Sequence, residues 1–157
     1  MAIRFQSEKV PFPETIKKRE TANWIRAVAA GYGKKVGELS YLFCDDEKIL
    51  EVNRHYLRHD FYTDIITFDY SEGEIISGDI LISLETVRSN SQKYQTAWQE
   101  ELRRVIIHGV LHLCGLKDKT REEEKSMRVA EEEALKLLRK NPANLQNDLK
   151  NNVNSHL

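Results

Sequence analysis

His108 and His112 are the only titratable side chains in the run Val105-Ile106-Ile107-His108-Gly109-Val110-Leu111-His112-Leu113. A separation of four on a helix brings two side chains to one face, about 5–6 Å apart at Cβ, where two imidazoles can meet one metal ion. Two polar rings in an apolar segment cost free energy unless each finds a partner, and desolvation favours the neutral ring that a metal requires. The bland alternative for such a pair is two core histidines bonded to backbone carbonyls.

The continuation Leu113-Cys114-Gly115-Leu116-Lys117-Asp118 shifts the weight toward the metal. Gly115 allows a tight reversal that returns Asp118 toward the helix as a third ligand. The spacing His-x-x-x-His-x-x-Gly-x-x-(His/Asp) is that of metzincin-like zinc sites, in which three protein ligands leave an open position for water. Asp118 has a second reading, as a residue leading into the next helix beside Thr120. The residue after His108 is Gly109 rather than the glutamate of His-Glu-x-x-His, so the general base of peptide hydrolysis is missing and protease activity is disfavoured. With no second His/Cys cluster in the sequence, one divalent metal per chain is expected. Two imidazoles suit zinc, and the carboxylate of Asp118 also admits manganese or iron.

The elements that must position these residues are legible in part. Residues 2–6 read as a short strand, and Pro13 stands near the first turn of a helix carrying Ile16, Trp24, Ala27 and Val28, stopped by Gly31 and Gly33. Residues 39–44 form a buried-type strand, followed by Asp45 or Asp46 as N-cap of a short helix with Ile49, Leu50 and Val52. The β-branched runs 65–68 and 80–82 read as strands that pair as neighbours. Thr96-Ala97-Trp98-Gln99 has the form of a capping box, which starts a helix at about Trp98; its second half is apolar all round and Gly115 ends it. Thr120-Arg121-Glu122-Glu123 repeats the box ahead of a helix striped by Met127, Ala130, Ala134 and Leu138. The expected fold is α/β: a small mixed sheet of about four strands, packed helices, and the histidine-bearing helix central. Residues 1–140 read as one domain and 141–157 as a flexible Asn-rich tail.

Composition bounds the function. The 157 residues are 40% hydrophobic and 31% charged, and 24 Lys+Arg against 25 Asp+Glu leave a formal charge of −1. Overall basicity therefore gives no argument for nucleic acid, and any polyanion must be held by a local patch. Lys117 and Lys119, flanking Asp118, are two candidate cations, with a solvated turn as the plain alternative. No signal-peptide or membrane-spanning stretch is visible, so a cytoplasmic protein without membrane contact is expected. Cys44 and Cys114, 70 residues apart, read as buried free thiols.

The stretch 108–118 resembles the His-Gly-x-Leu-His-Leu-x-Gly-Tyr-Asp-His signature of the YbeY-type endoribonucleases, the metal-dependent rRNA maturation factors. Asn53-Arg54-His55-Tyr56, Asp60, Thr63-Asp64-Ile65-Ile66-Thr67-Phe68 and Gly78-Asp79-Ile80-Leu81-Ile82 resemble the family's second motif and the Gly-Asp-Ile strand after it. The likeness covers roughly residues 36–138, with the motifs in the same order and spacing. The family's third metal histidine falls on Asp118. Its arginine after the tyrosine falls on Leu57, so Arg58 takes the catalytic-arginine role after a one-residue rearrangement.

The resemblance implies cleavage of single-stranded RNA in the 3′-end maturation of small-subunit ribosomal RNA and in ribosome quality control, with the small subunit as partner and no DNA. The residue chemistry is compatible: a metal at His108, His112 and Asp118 polarises a phosphoryl oxygen or water, while Lys117, Lys119 and Arg58 offset developing charge. The nucleophile is either a hydroxide on the metal or the RNA's own 2′-hydroxyl. Rival readings are a metal-dependent peptidase or small-molecule hydrolase, and a non-catalytic ribosome-associated RNA-binding factor whose metal is structural.

Overall fold

The computed structural model describes residues 2–57 and 63–140. The β-branched and aromatic runs form four strands, β1 (Ile3–Ser7), β2 (Lys35–Cys44), β3 (Ile65–Asp69) and β4 (Ile75–Ser83). They lie in the order β1-β2-β4-β3. β1, β2 and β4 run parallel, and β3 closes one edge antiparallel to β4, with Ile65 opposite Ile82 and Thr67 opposite Ile80. Among the described residues, five helices accompany the sheet: α1 (Lys18–Gly31), α2 (Asp46–Val52), α3 (Leu84–Lys93), α4 (Trp98–Leu113) and α5 (Arg121–Lys140). A π-helical turn at Asn53–Leu57 extends α2. This is the expected α/β architecture with a mixed four-stranded sheet.

Because strand side chains alternate, the register sends Phe5, Leu39, Tyr41, Phe43, Ile80 and Ile82 to one face, where all are buried. α4 lies against that face, its Val105, Ile106, Ile107, Val110 and Leu111 in the same cluster. The Tyr41 hydroxyl donates to the Ile106 carbonyl at 2.9 Å, fixing the helix along the sheet. A Cβ on Gly109 would come within 2.8 Å of Ile80 Cδ1, so glycine beside His108 is what lets the helix approach this closely. The opposite face carries a smaller cluster in which Ile66, Leu81 and Cys44 meet Ile49 and Val52 of α2.

Asp45 is the N-cap of α2, its side chain accepting from the Lys48 amide at 2.9 Å. The Thr120 capping box forms with both bonds in place, Thr120 N–H to Glu123 Oε1 at 3.0 Å and Glu123 N–H to Thr120 Oγ1 at 3.1 Å. α5 presents Met127, Ala134, Leu135 and Leu138 to the core, and Trp24 Nε1 of α1 donates to the Ala134 carbonyl at 2.8 Å.

Some local expectations are corrected. α1 begins at Lys18, past Pro13; Pro13 instead opens a turn closed by the Ile16 amide on its carbonyl at 3.1 Å, which buries Ile16 ahead of the helix. α4 starts at Trp98 as the spacing predicts, but Ala97 is its N-cap and no side chain caps it. The short reversal from α3 draws the Thr96 amide onto the Ser91 carbonyl at 2.9 Å, and Trp98 is anchored under the Arg88 guanidinium, 4.2 Å from its ring. Cys44 is buried, but Cys114 at the end of α4 is only half-buried; desolvation raises their thiol pKa values to about 12 and about 11. No helix among the described residues is long and apolar enough to cross a membrane. The segment 141–157, read as a tail, lies outside the described residues.

Candidate metal centre

α4 ends in a Schellman turn. Gly115 has φ +105, its amide donates to the His112 carbonyl at 2.9 Å, and the Leu116 amide donates to the Leu111 carbonyl at 3.0 Å. The reversal brings half-buried Asp118 back over the helix, where its Oδ2 stands 3.2 Å from His108 Nε2 and 3.2 Å from His112 Nε2. One ligand atom from each of the three residues lies within 4.8 Å of the others, and the two imidazole rings meet edge to face at 4.5 Å. A tetrahedral ion with bonds of ~2.0–2.1 Å has ligand–ligand edges of about 3.3 Å, which the two distances from Asp118 to the histidines match.

The hydrogen bonds behind the rings settle which nitrogens face the centre. His112 Nδ1 lies 3.0 Å from the Leu116 carbonyl, which can only accept, so this nitrogen is the donor. His108 Nδ1 lies 2.7 Å from Glu131 Oε2, and the carboxylate accepts in the same way. In the neutral rings both Nε2 atoms then carry lone pairs aimed at a carboxylate oxygen. Three acceptors converging at these distances repel unless a cation sits among them, and this donor set fits a divalent metal. Without one, a proton can partly substitute. Burial opposes the charged form of His108, but the hydrogen bond and charge of Glu131, helped by Asp118 and Asp64, outweigh it and hold its pKa above the usual 6.5.

Glu131 and Arg104 were not singled out from the sequence. Glu131 is 5% exposed, and its Oε1 accepts from the Arg104 guanidinium at 3.2 Å. Arg104 also pairs with Glu132 and lies 3.8 Å from Glu101. Desolvation works against the Arg104 charge, yet the hydrogen bonds it donates to Glu132 and Glu131 leave its pKa raised. Half-buried Asp64, just before β3, interacts through its charge with His108; desolvation lifts its pKa and the charge of His108 counters it. The signal for Glu131 was present in the sequence. It sits four residues after Met127 and four before Leu135, on the apolar stripe of α5, although the run Glu131-Glu132-Glu133 reads as a solvated face.

The structure thus brings His108, His112 and Asp118 together. Asp118 bonds to neither partner of the Thr120 box, whose bonds run between Thr120 and Glu123. Lys117 and Lys119 are exposed on either side of it. Arg58 lies outside the described residues.

Fold and site define a small α/β protein with a His–His–Asp group that could hold a metal ion. Residues 2–139 match the family described as Endoribonuclease YbeY. An endoribonuclease YbeY of Bacteroides fragilis is 61% identical over 135 residues, 86% of this chain and 96% of the relative. Another, of Phocaeicola vulgatus, is 60% identical over 136 residues, 87% of this chain and 98% of the relative. The solution structure of a Thermotoga maritima protein, 23% identical, aligns with a TM-score of 0.62 over 91% of this chain and 95% of that one, and shares the fold. The chain belongs to the endoribonuclease YbeY family.

Proposed function

We propose that this family member is a metal-dependent endoribonuclease that cuts single-stranded RNA in the 3′-end maturation of small-subunit ribosomal RNA and in ribosome quality control. It works in the cytoplasm, with the small subunit as partner. His108, His112 and Asp118 hold one divalent metal, for which zinc suits the imidazoles and manganese or iron the carboxylate. The observation that carries the metal is the convergence of three acceptor atoms whose neighbouring nitrogens are committed elsewhere, His108 to Glu131 and His112 to the Leu116 carbonyl. The names of the relatives support an RNA substrate.

The chain's own groups divide the task. Glu131 and the Leu116 carbonyl each hold a proton at Nδ1 and leave Nε2 free to ligate. Asp118 supplies the third donor and halves the charge of a divalent centre. Asp64, Glu131 and Asp118 make the surroundings acidic, so Lys117, Lys119 and Arg58 are the cations that draw a phosphodiester toward the centre. A divalent ion bound there supplies Lewis-acid polarisation of a phosphoryl oxygen or of water. With Gly109 where a zinc peptidase carries glutamate, no side chain at that position can act as base, and either water or the RNA 2′-hydroxyl is the nucleophile. Incubating the metal-loaded protein with an RNA pool and with a peptide library tests the reading. Cleavage of RNA alone is expected, and cleavage of peptides with intact RNA would overturn it.

A further inference from the structure

We propose that Glu131, held from behind by Arg104, is a positioning residue that fixes the tautomer and orientation of His108 and thereby sets the affinity of the centre for its metal. The proposal rests on the three-ligand reading above. Each Glu131 oxygen has one donor, His108 Nδ1 on Oε2 at 2.7 Å and Arg104 on Oε1 at 3.2 Å, and the side chain is almost wholly buried. A guanidinium only donates, so whatever stands at this position must turn an acceptor toward Arg104. A carboxylate has a second acceptor for the histidine; an amide does not.

In Glu131→Gln the amide oxygen faces Arg104 and the amide NH2 faces His108 Nδ1. That nitrogen must then accept, the ring's proton moves to Nε2, and Nε2 can no longer ligate without a rearrangement. The substitution keeps size and shape and changes the direction of one hydrogen bond. His112 is held separately by the Leu116 carbonyl at 3.0 Å, so the effect falls on one ligand only. Removing Arg104 frees the amide to turn over and present its oxygen to His108. A double variant should therefore recover affinity that the single variant lost, which a purely structural role for the ion pairs does not predict.

The experiment is zinc affinity by competition with a chromophoric chelator for wild type, Glu131→Gln, Glu131→Gln/Arg104→Met and His112→Ala, with circular dichroism of the metal-free proteins as the folding check. Loss of a partner behind a ligating histidine typically weakens metal binding about 10–100-fold, which is the change expected for Glu131→Gln, with partial recovery in the double variant. A dissociation constant within twofold of wild type for Glu131→Gln overturns the proposal, as does a double variant weaker than the single. If Glu131→Gln does not fold, Glu131→Asp decides in its place, because it keeps the charge and withdraws the carboxylate from the ring; unchanged affinity there also overturns the proposal. His112→Ala separates the two readings: undiminished zinc binding in that variant refutes the three-ligand centre itself.

Discussion

Gly115→Ala tests whether the turn that returns Asp118 to the helix is also a determinant of metal affinity. A Cβ at Gly115 would meet nothing within 4 Å, so the substitution brings no clash and its cost is conformational. At φ +105 the backbone lies in a region that non-glycine residues populate at a cost of about 1–3 kcal/mol, and 2 kcal/mol is a fair central value. A metal gripping Asp118 enforces the native turn, so the loaded variant carries the full strain. At ~2–4 °C per kcal/mol for a chain of this size, its melting temperature should fall by about 4–8 °C. The metal-free variant can relax the turn, releasing the Leu116 carbonyl from His112, and should melt closer to wild type. The difference between the two states appears as weakened binding, up to about 30-fold for 2 kcal/mol. Differential scanning fluorimetry with and without zinc, together with chelator competition, measures both quantities. Gly31→Ala, where a Cβ also meets nothing and φ is not positive, is the control and should be nearly neutral. Loaded Gly115→Ala melting with wild type would refute the link between the left-handed turn and the site.

Other expectations concern charge, pH and the sheet. Lys117→Ala/Lys119→Ala should weaken RNA binding and flatten its salt dependence by about 0.7–1.4 units of log–log slope, since each phosphate contact on a single strand contributes ~0.7; fluorescence anisotropy across a salt series reads this, and an unchanged slope would place the RNA path elsewhere. In the metal-free protein the folded-state pKa of His108 is raised above its unfolded value near 6.5, so its stabilising contribution is complete below about pH 6.5 and is lost as pH rises through the folded pKa. Urea melts of metal-free wild type and His108→Gln should accordingly converge with rising pH, and a gap that widens would contradict the Glu131 contact as the cause. Gly78→Ala would drive a Cβ into the Phe68 carbonyl across the β3–β4 ladder, costing about 3 kcal/mol and about 6–12 °C of melting temperature.

The convergence of His108, His112 and Asp118 was readable because local geometry dictates it: a separation of four on one helix and a glycine three residues before Asp118 leave little for tertiary structure to decide. The Thr120 box was readable for the same reason. The Thr96 box had the same letters but did not form, because the reversal out of α3 takes the Thr96 amide to Ser91, a contact no four-residue pattern contains. Pro13 misled in a similar way, since burial of Ile16 ahead of α1 outweighs the preference of proline for a helix's first turn. Glu131 lies 23 residues from His108, and its contact depends on how α5 crosses α4; the sequence carries only the weaker sign of a glutamate on an apolar stripe. The mixed sheet followed from β-branched runs, but its order β1-β2-β4-β3 required the pairing partners themselves.

The proposed function requires one metal held by His108, His112 and Asp118 for RNA cleavage. The direct measurement is cleavage of a labelled single-stranded RNA by protein stripped with chelator and then titrated with zinc or manganese, alongside Asp118→Ala treated identically. Activity that returns to a plateau at one equivalent per chain in wild type, and stays at background in Asp118→Ala at the same free metal, is the predicted result. Full cleavage by the stripped protein, or wild-type recovery in Asp118→Ala, would contradict it.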